Sequence, residues 1–156
     1  MQIRSVLFIV GVLLACVGAS LVLPLGVSLW YEDGAFLGLL SSLVIMMGGG
    51  MALAYSNRSD TPLNLTLRDG FAVVGICWIV ASFAGGLPFV LTSTASVTDA
   101  VFEAASGFTT TGATIFPDVQ ALPYGLLMWR SLTHCIGGLG IIVLSLIVLP
   151  LLGVGG

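Results

Sequence analysis

Ala105-Ser106-Gly107-Phe108-Thr109-Thr110-Thr111-Gly112-Ala113-Thr114 is a run of small and hydroxyl-bearing residues set between segments apolar enough to cross a bilayer. No side chain in it can act as a base or a tight metal ligand, and its hydroxyls have no base within the run to activate them as nucleophiles. It offers instead a row of backbone carbonyls with little side chain in the way. Lipid tolerates non-helical backbone only where protein buries it or where it lines a water-filled pathway. Rings of carbonyls that replace the hydration shell of an alkali cation are one use of such backbone. The stretch therefore reads as an ion-conduction element.

Composition agrees with a membrane location. Of 156 residues, 58% are hydrophobic and 7% charged, and the mean hydropathy is +1.17. Soluble domains carry about a quarter charged residues. The net charge of -3 arises from few groups, none of them Lys, so a basic nucleic-acid footprint is absent and no nucleic-acid partner is expected. Cys16, Cys77 and Cys135 all lie in apolar runs without ligand-like spacing. They read as small buried hydrophobes rather than as a disulfide framework.

A spanning helix needs about 20 mostly apolar residues. Residues 5–30, 36–55, 70–92 and 123–150 each supply one: the first ends at Trp30-Tyr31, an aromatic pair suited to the interface, the second ends at Tyr55, and the last begins near Tyr124 and Trp129. Residues 93–122 are too polar to span and too apolar for an ordinary loop. Thr98 or Asp99 can cap a short helix there, running to about Ser106. A break is expected at Gly107 and a turn at Phe116-Pro117-Asp118. The fold class is thus all-α integral membrane, with four transmembrane helices plus one re-entrant pore helix and filter loop.

Arg4, Arg58 and Arg68 flank the first three spans on one side. The positive-inside rule puts them, and the N-terminus, in the cytoplasm. Residues 93–122 then re-enter from the outer face, where a cation filter would receive ions. Asn57-Arg58-Ser59 and Asn64-Leu65-Thr66 match a glycosylation pattern, but a cytoplasmic link hides both. Arg4 followed by Leu13-Leu14-Ala15-Cys16 has the look of a lipoprotein signal. A signal's apolar stretch is short, about 7–15 residues, whereas here it continues to Leu29, so a retained span is expected.

With these elements placed, the chain resembles the membrane subunits of the Trk/Ktr/HKT superfamily of potassium transporters, the Trk type most closely. The residues that carry the resemblance begin with Phe102-Glu103-Ala104 and run through the filter stretch to Thr114. Trp129-Arg130-Ser131, Gly137-Gly138-Leu139-Gly140-Ile141-Ile142 and the glycine motif from Leu149 to Gly156 follow, with Leu23-Pro24 and Leu87-Pro88-Phe89 earlier. Cys135 departs from the aromatic residue common there. The resemblance implies that residues 1–69 form an N-terminal helix pair with its cytoplasmic link, and residues 70–156 the first helix–pore–helix repeat. Family members carry four such repeats around a pseudo-fourfold axis, whereas this chain carries one. A fragment of a longer chain is the expectation, and a homotetramer the alternative. The resemblance also implies the cytoplasmic (inner) membrane, dimers of full-length subunits, and a cytoplasmic nucleotide-binding regulatory subunit as partner.

Aligned with a potassium-channel filter, Thr110, Thr111, Gly112, Ala113 and Thr114 form one strand of four, with a transported potassium ion as the only metal and no cofactor. Gly112 reaches dihedrals other residues avoid; the alternative is a glycine that merely ends the short helix. In the superfamily, glycine at this position goes with potassium and serine with sodium. The C-terminal end of the short helix carries about half a negative charge, which would favour a cation beyond it. Glu103 and Arg130 are charges inside membrane elements, where an unpaired ionisable group is expensive. They either pair or reach outer water separately. His134 reads as hydrogen-bonded within its helix, a proton relay being the alternative. Gly48-Gly49-Gly50 reads as close helix packing, and Gly137, Gly138 and Gly140 as packing or a gating bend. An intramembrane enzyme lacks a paired catalytic set, and the competing function is a non-conducting membrane scaffold.

Overall fold

The computed structural model describes residues 3–58 and 67–151, and of residues 67–69 and 143–151 it describes the backbone alone. The link between the second and third spans, with Arg68, and the final glycines therefore lie outside the described side chains. Among the described residues every regular element is helical.

The first apolar run divides into α1 (Ile3–Ser20) and α2 (Val22–Tyr31). The expected single helix is interrupted at Leu21, because Pro24 has no N–H for the carbonyl of Ser20. α3 covers Phe36–Ser56. The third run divides in the same way into α4 (Leu67–Gly85) and α5 (Leu87–Leu91). Here Pro88 cannot bond the carbonyl of Ala84, and the Phe89 N–H turns to Gly86 O at 3.1 Å. That leaves Gly85 O free, and the indole N–H of Trp129 fills it at 2.9 Å. α6 is Val97–Phe108, a 3-10 turn covers Val119–Ala121, and α7 runs from Tyr124 to Leu151. Ile3–Tyr31, Phe36–Ser56 and Gly70–Leu91 are long and apolar enough to cross a membrane. At 1.5 Å per residue the 28 residues of α7 extend about 42 Å.

α1 packs on α3 with their backbones nearly in contact. An added Cβ would lie 2.6 Å from Ala54 N at Gly11, 2.8 Å from Met47 N at Gly18, and 2.5 Å from Ala15 N at Gly50. Small residues permit this approach, as is usual between membrane helices. Gly48 and Gly49 do not take part, since an added Cβ at either meets nothing within 4 Å. The expectation for that cluster holds for its last member alone. Cys77 is buried, but Cys16 and Cys135 are exposed. An apolar run on a spanning helix has outward faces as well as inward ones, so apolarity does not imply burial within the chain.

Below α6, a core of Leu21, Leu39, Phe89, Phe108, Leu126 and Trp129 is at most 2% exposed. Phe108 meets Trp129 edge to face, with centroids 6.5 Å apart. This core holds the end of α6 against α2, α3, α5 and α7. Large apolar residues such as Trp30, Leu37 and Tyr55 are open.

Candidate ion-conduction site

Ser96 starts α6, accepting a hydrogen bond from the Asp99 N–H at 3.3 Å and donating to Asp99 Oδ2 at 2.7 Å. The cap thus falls two or three residues before the expected Thr98 or Asp99. A Ser-x-x-Asp step resembling the reciprocal capping box was the available signal. The helix also continues through Gly107 to Phe108 instead of breaking at the glycine. Gly107 serves close approach: an added Cβ would lie 2.2 Å from Thr133 Oγ1. Gly137 makes the reciprocal approach from α7, its added Cβ 2.0 Å from Phe108 O. Gly138 and Gly140 have ordinary contacts at 3.8 and 3.9 Å, so the three glycines of that cluster are not equivalent.

The helix ends in a Schellman arrangement. The Thr110 N–H bonds Gly107 O at 2.9 Å, and the Thr111 N–H bonds Ser106 O at 3.0 Å. This motif takes glycine at its left-handed position, yet Thr110 occupies it with φ +56°. A β-branched residue there is an outlier. Such strain persists only where the surroundings impose it, and it concentrates at functional sites. Gly112 has φ +80° two residues later. Residues 111–114 carry no regular structure, and Thr109 through Thr114 are exposed.

Glu103, 2% exposed, is the hub behind this segment. Its carboxylate accepts from Arg130 Nε at 2.5 Å, from the Thr114 hydroxyl at 2.9 and 3.1 Å, and from the Ile115 N–H at 3.0 Å. Glu103 and Arg130 are therefore brought together, and the pair reaches the loop itself. The Arg130 side chain is 20% exposed. Ser106, one turn further along α6, donates its hydroxyl to Ala113 O at 2.6 Å. Neither tie between α6 and the loop was read from the sequence, because no motif announces contacts seven to twelve residues apart. Of the expected row of five carbonyls, that of Ala113 is thus engaged from behind. Thr109 and Thr111 share a hydroxyl–hydroxyl bond of 2.8 Å. His134 Nδ1 lies 2.9 Å from Arg130 O, and no cluster of three or more His, Cys, Asp or Glu that could hold a metal ion occurs among the described residues.

Asp33, in the turn before α3, joins the N-terminal helices to α7. It accepts from the Gly125 N–H at 2.7 Å and the Ala35 N–H at 3.0 Å, and from the Ser28 hydroxyl. Burial alone would raise its pKa, but these hydrogen bonds outweigh it and hold the carboxyl below its usual 3.8. Tyr31 stacks on Tyr124 beside it, with ring centroids 4.3 Å apart. A cavity of about 280 Å³ under the end of α6 is lined by residues including Leu13, Val17, Trp78, Phe108 and Ile136. Its lining is apolar and offers no cation ligand.

The family described as TrkH, cation transport protein, matches residues 41–156. The Trk system potassium uptake protein TrkH of Vibrio parahaemolyticus is 40% identical over 158 residues, covering 100% of this chain and 32% of that relative. The Trk system potassium uptake protein TrkG of Escherichia coli is 39% identical over 159 residues, covering 99% and 32%. The crystal structure of the potassium transporter TrkH from Vibrio parahaemolyticus superposes with a TM-score of 0.92 at 40% identity, across 100% of this chain and 34% of that one. The chain spans about a third of the length of these relatives. By the match across most of its length, this chain belongs to the TrkH family of cation transport proteins.

Proposed function

We propose that this chain supplies one of four strands of a potassium-selective filter in a Trk-type uptake transporter. The observation that carries the reading is the open segment Thr110–Thr114, with left-handed backbone at Thr110 and Gly112. That segment is backed by a buried carboxylate and hydroxyl from α6. Four such strands around an axis would replace the water shell of a dehydrated potassium ion with carbonyl oxygens. The other three come from further repeats or from other copies of the chain. The names of the relatives, potassium uptake proteins, support the ion, and the family is one of transporters rather than enzymes.

In this reading residues 1–69 are a helix pair and its link, and residues 70–156 are one helix–pore–helix repeat. Four spans cross the cytoplasmic membrane with the N-terminus inside, and α6 with its loop re-enters from outside. Gly137 holds α7 against the end of α6, with Gly138 and Gly140 beside it, where a bend could gate the pathway below. A dimer of full-length subunits and a cytoplasmic nucleotide-binding regulatory subunit complete the transporter.

The test is Gly112→Ser in cells lacking other potassium systems, reading potassium and sodium uptake per membrane-inserted protein. A left-handed conformation costs a residue with a Cβ roughly 1–2 kcal/mol, which is about a 5–30-fold change in an equilibrium. Preference for potassium over sodium is expected to fall by up to that factor. Gly49→Ser, whose added Cβ meets nothing within 4 Å, is expected to leave selectivity unchanged. Loss of selectivity in Gly49→Ser with retention in Gly112→Ser would place the filter elsewhere.

A further inference from the structure

The five residues Thr110–Thr114 do not present their carbonyls alike. Ala113 O receives the Ser106 hydroxyl at 2.6 Å, from a residue 6% exposed on the helix behind the loop. Among the described residues, no donor reaches the carbonyls of Thr110, Thr111 or Gly112. Beyond Ala113 the loop is tied to the same helix again, through Thr114 Oγ1 and Ile115 N on Glu103. Three consecutive residues are thus drawn toward α6, starting one residue after the positive φ of Gly112. A carbonyl accepts along its lone pairs, broadly in the plane of the amide. One aimed at a hydroxyl behind the loop is turned from whatever lies in front, and its oxygen is already partly neutralised.

We infer that the row of cation ligands on this strand ends at Gly112. Ser106 is the positioning residue that ends it, by holding Ala113 O off the ion pathway. This rests on the filter reading above and refines it: the ligand is a dehydrated monovalent cation held by the Thr110–Gly112 carbonyls, three layers where a five-residue row would give five. Ser106→Ala removes a single oxygen and leaves a good helix former, so α6 persists while Ala113 O loses its donor. Ala113 is exposed, so its freed carbonyl is open to water and to a cation in the pathway.

The experiment uses the full membrane-embedded assembly containing this chain. Isotope-labelled carbonyls are followed by vibrational or solid-state magnetic resonance spectroscopy as potassium chloride replaces N-methylglucamine chloride. Labelling alanine carbonyls and threonine nitrogens selects Ala113, the one Ala–Thr step in these 156 residues, and loss of its signal in Thr114→Ser identifies it within the assembly. In the natural sequence the Gly112 carbonyl is expected to shift with potassium and that of Ala113 to stay put; in Ser106→Ala the Ala113 signal becomes potassium-dependent. A potassium-dependent Ala113 signal in the natural sequence overturns the inference while leaving the filter reading intact. So does an unresponsive Ala113 in Ser106→Ala when Gly112 still responds. If neither carbonyl responds in the natural sequence, the filter reading itself fails and takes this inference with it.

Discussion

Replacing Glu103 by glutamine removes a charge and little else, and the structure sets what that costs. Three donors converge on the carboxylate: Arg130 Nε, the Thr114 hydroxyl and the Ile115 N–H. A glutamine side chain brings one acceptor oxygen, and its amide group is a donor facing donors. At least one of these part-buried donors is then left without its partner, at about 1 kcal/mol, the low end of the cost for a buried one. Arg130 also loses its counter-charge; breaking a buried pair costs about 3–5 kcal/mol, less here because the Arg130 side chain is 20% exposed. The expected destabilisation is about 2–4 kcal/mol. The assay is a double-mutant cycle with Glu103→Gln and Arg130→Met, measured by denaturant unfolding in lipid or detergent. Arg130→Met keeps an apolar stem in place of the arginine's. Residues in contact couple by about 0.5–3 kcal/mol, and a coupling above about 1 kcal/mol is expected for this short, part-buried pair. Additive effects within about 0.5 kcal/mol would show that the two charges do not act on each other, and the brace behind the loop would lose its anchor in α7.

Gly137→Ala places a methyl where Phe108 O stands, 2.0 Å away, and is expected to cost about 1–3 kcal/mol or more by overpacking. Gly138→Ala, with its nearest neighbour at 3.8 Å, is expected to be neutral or slightly stabilising in the same unfolding assay. Asp33 predicts an acid limb. Its folded pKa lies below 3.8, so its contribution is fully present above the unfolded value and is lost as pH falls through the lowered one. Stability of the natural chain should therefore decline on the acid side of 3.8, and Asp33→Asn should flatten that decline while lowering stability near neutrality. Equal acid limbs in the two proteins would remove Asp33 from this role.

Much of the architecture follows from local composition. Runs of about 20 apolar residues must satisfy their backbone internally, and helices do this without reference to partners. The helical class, the long runs beginning near residues 3, 36, 70 and 124, and a short amphipathic helix before the threonine run are therefore legible from residue order. So is the small, threonine-rich stretch after that helix, since its smallness and hydroxyl content belong to adjacent residues. The helix breaks before Pro24 and Pro88 and the Ser96 cap were also local facts, readable from a missing N–H and a Ser-x-x-Asp step.

What the tertiary structure decided are the pairings that depend on helix rotation and crossing. Each residue turns a helix by about 100°, so packing alone selects Gly137 rather than Gly138 to meet Phe108. The same holds for Gly50 over Gly49 against α1. Glu103 meets Arg130 across 27 residues, and Asp33 meets Gly125 across 92. Neither separation has a periodicity to reveal it. The Ser106–Ala113 bond spans just seven residues, yet it forms because Thr110 and Gly112 reverse the chain through left-handed conformations. Hydropathy is a sum over neighbours and is written along the chain. The direction in which a carbonyl points is set by everything packed around it.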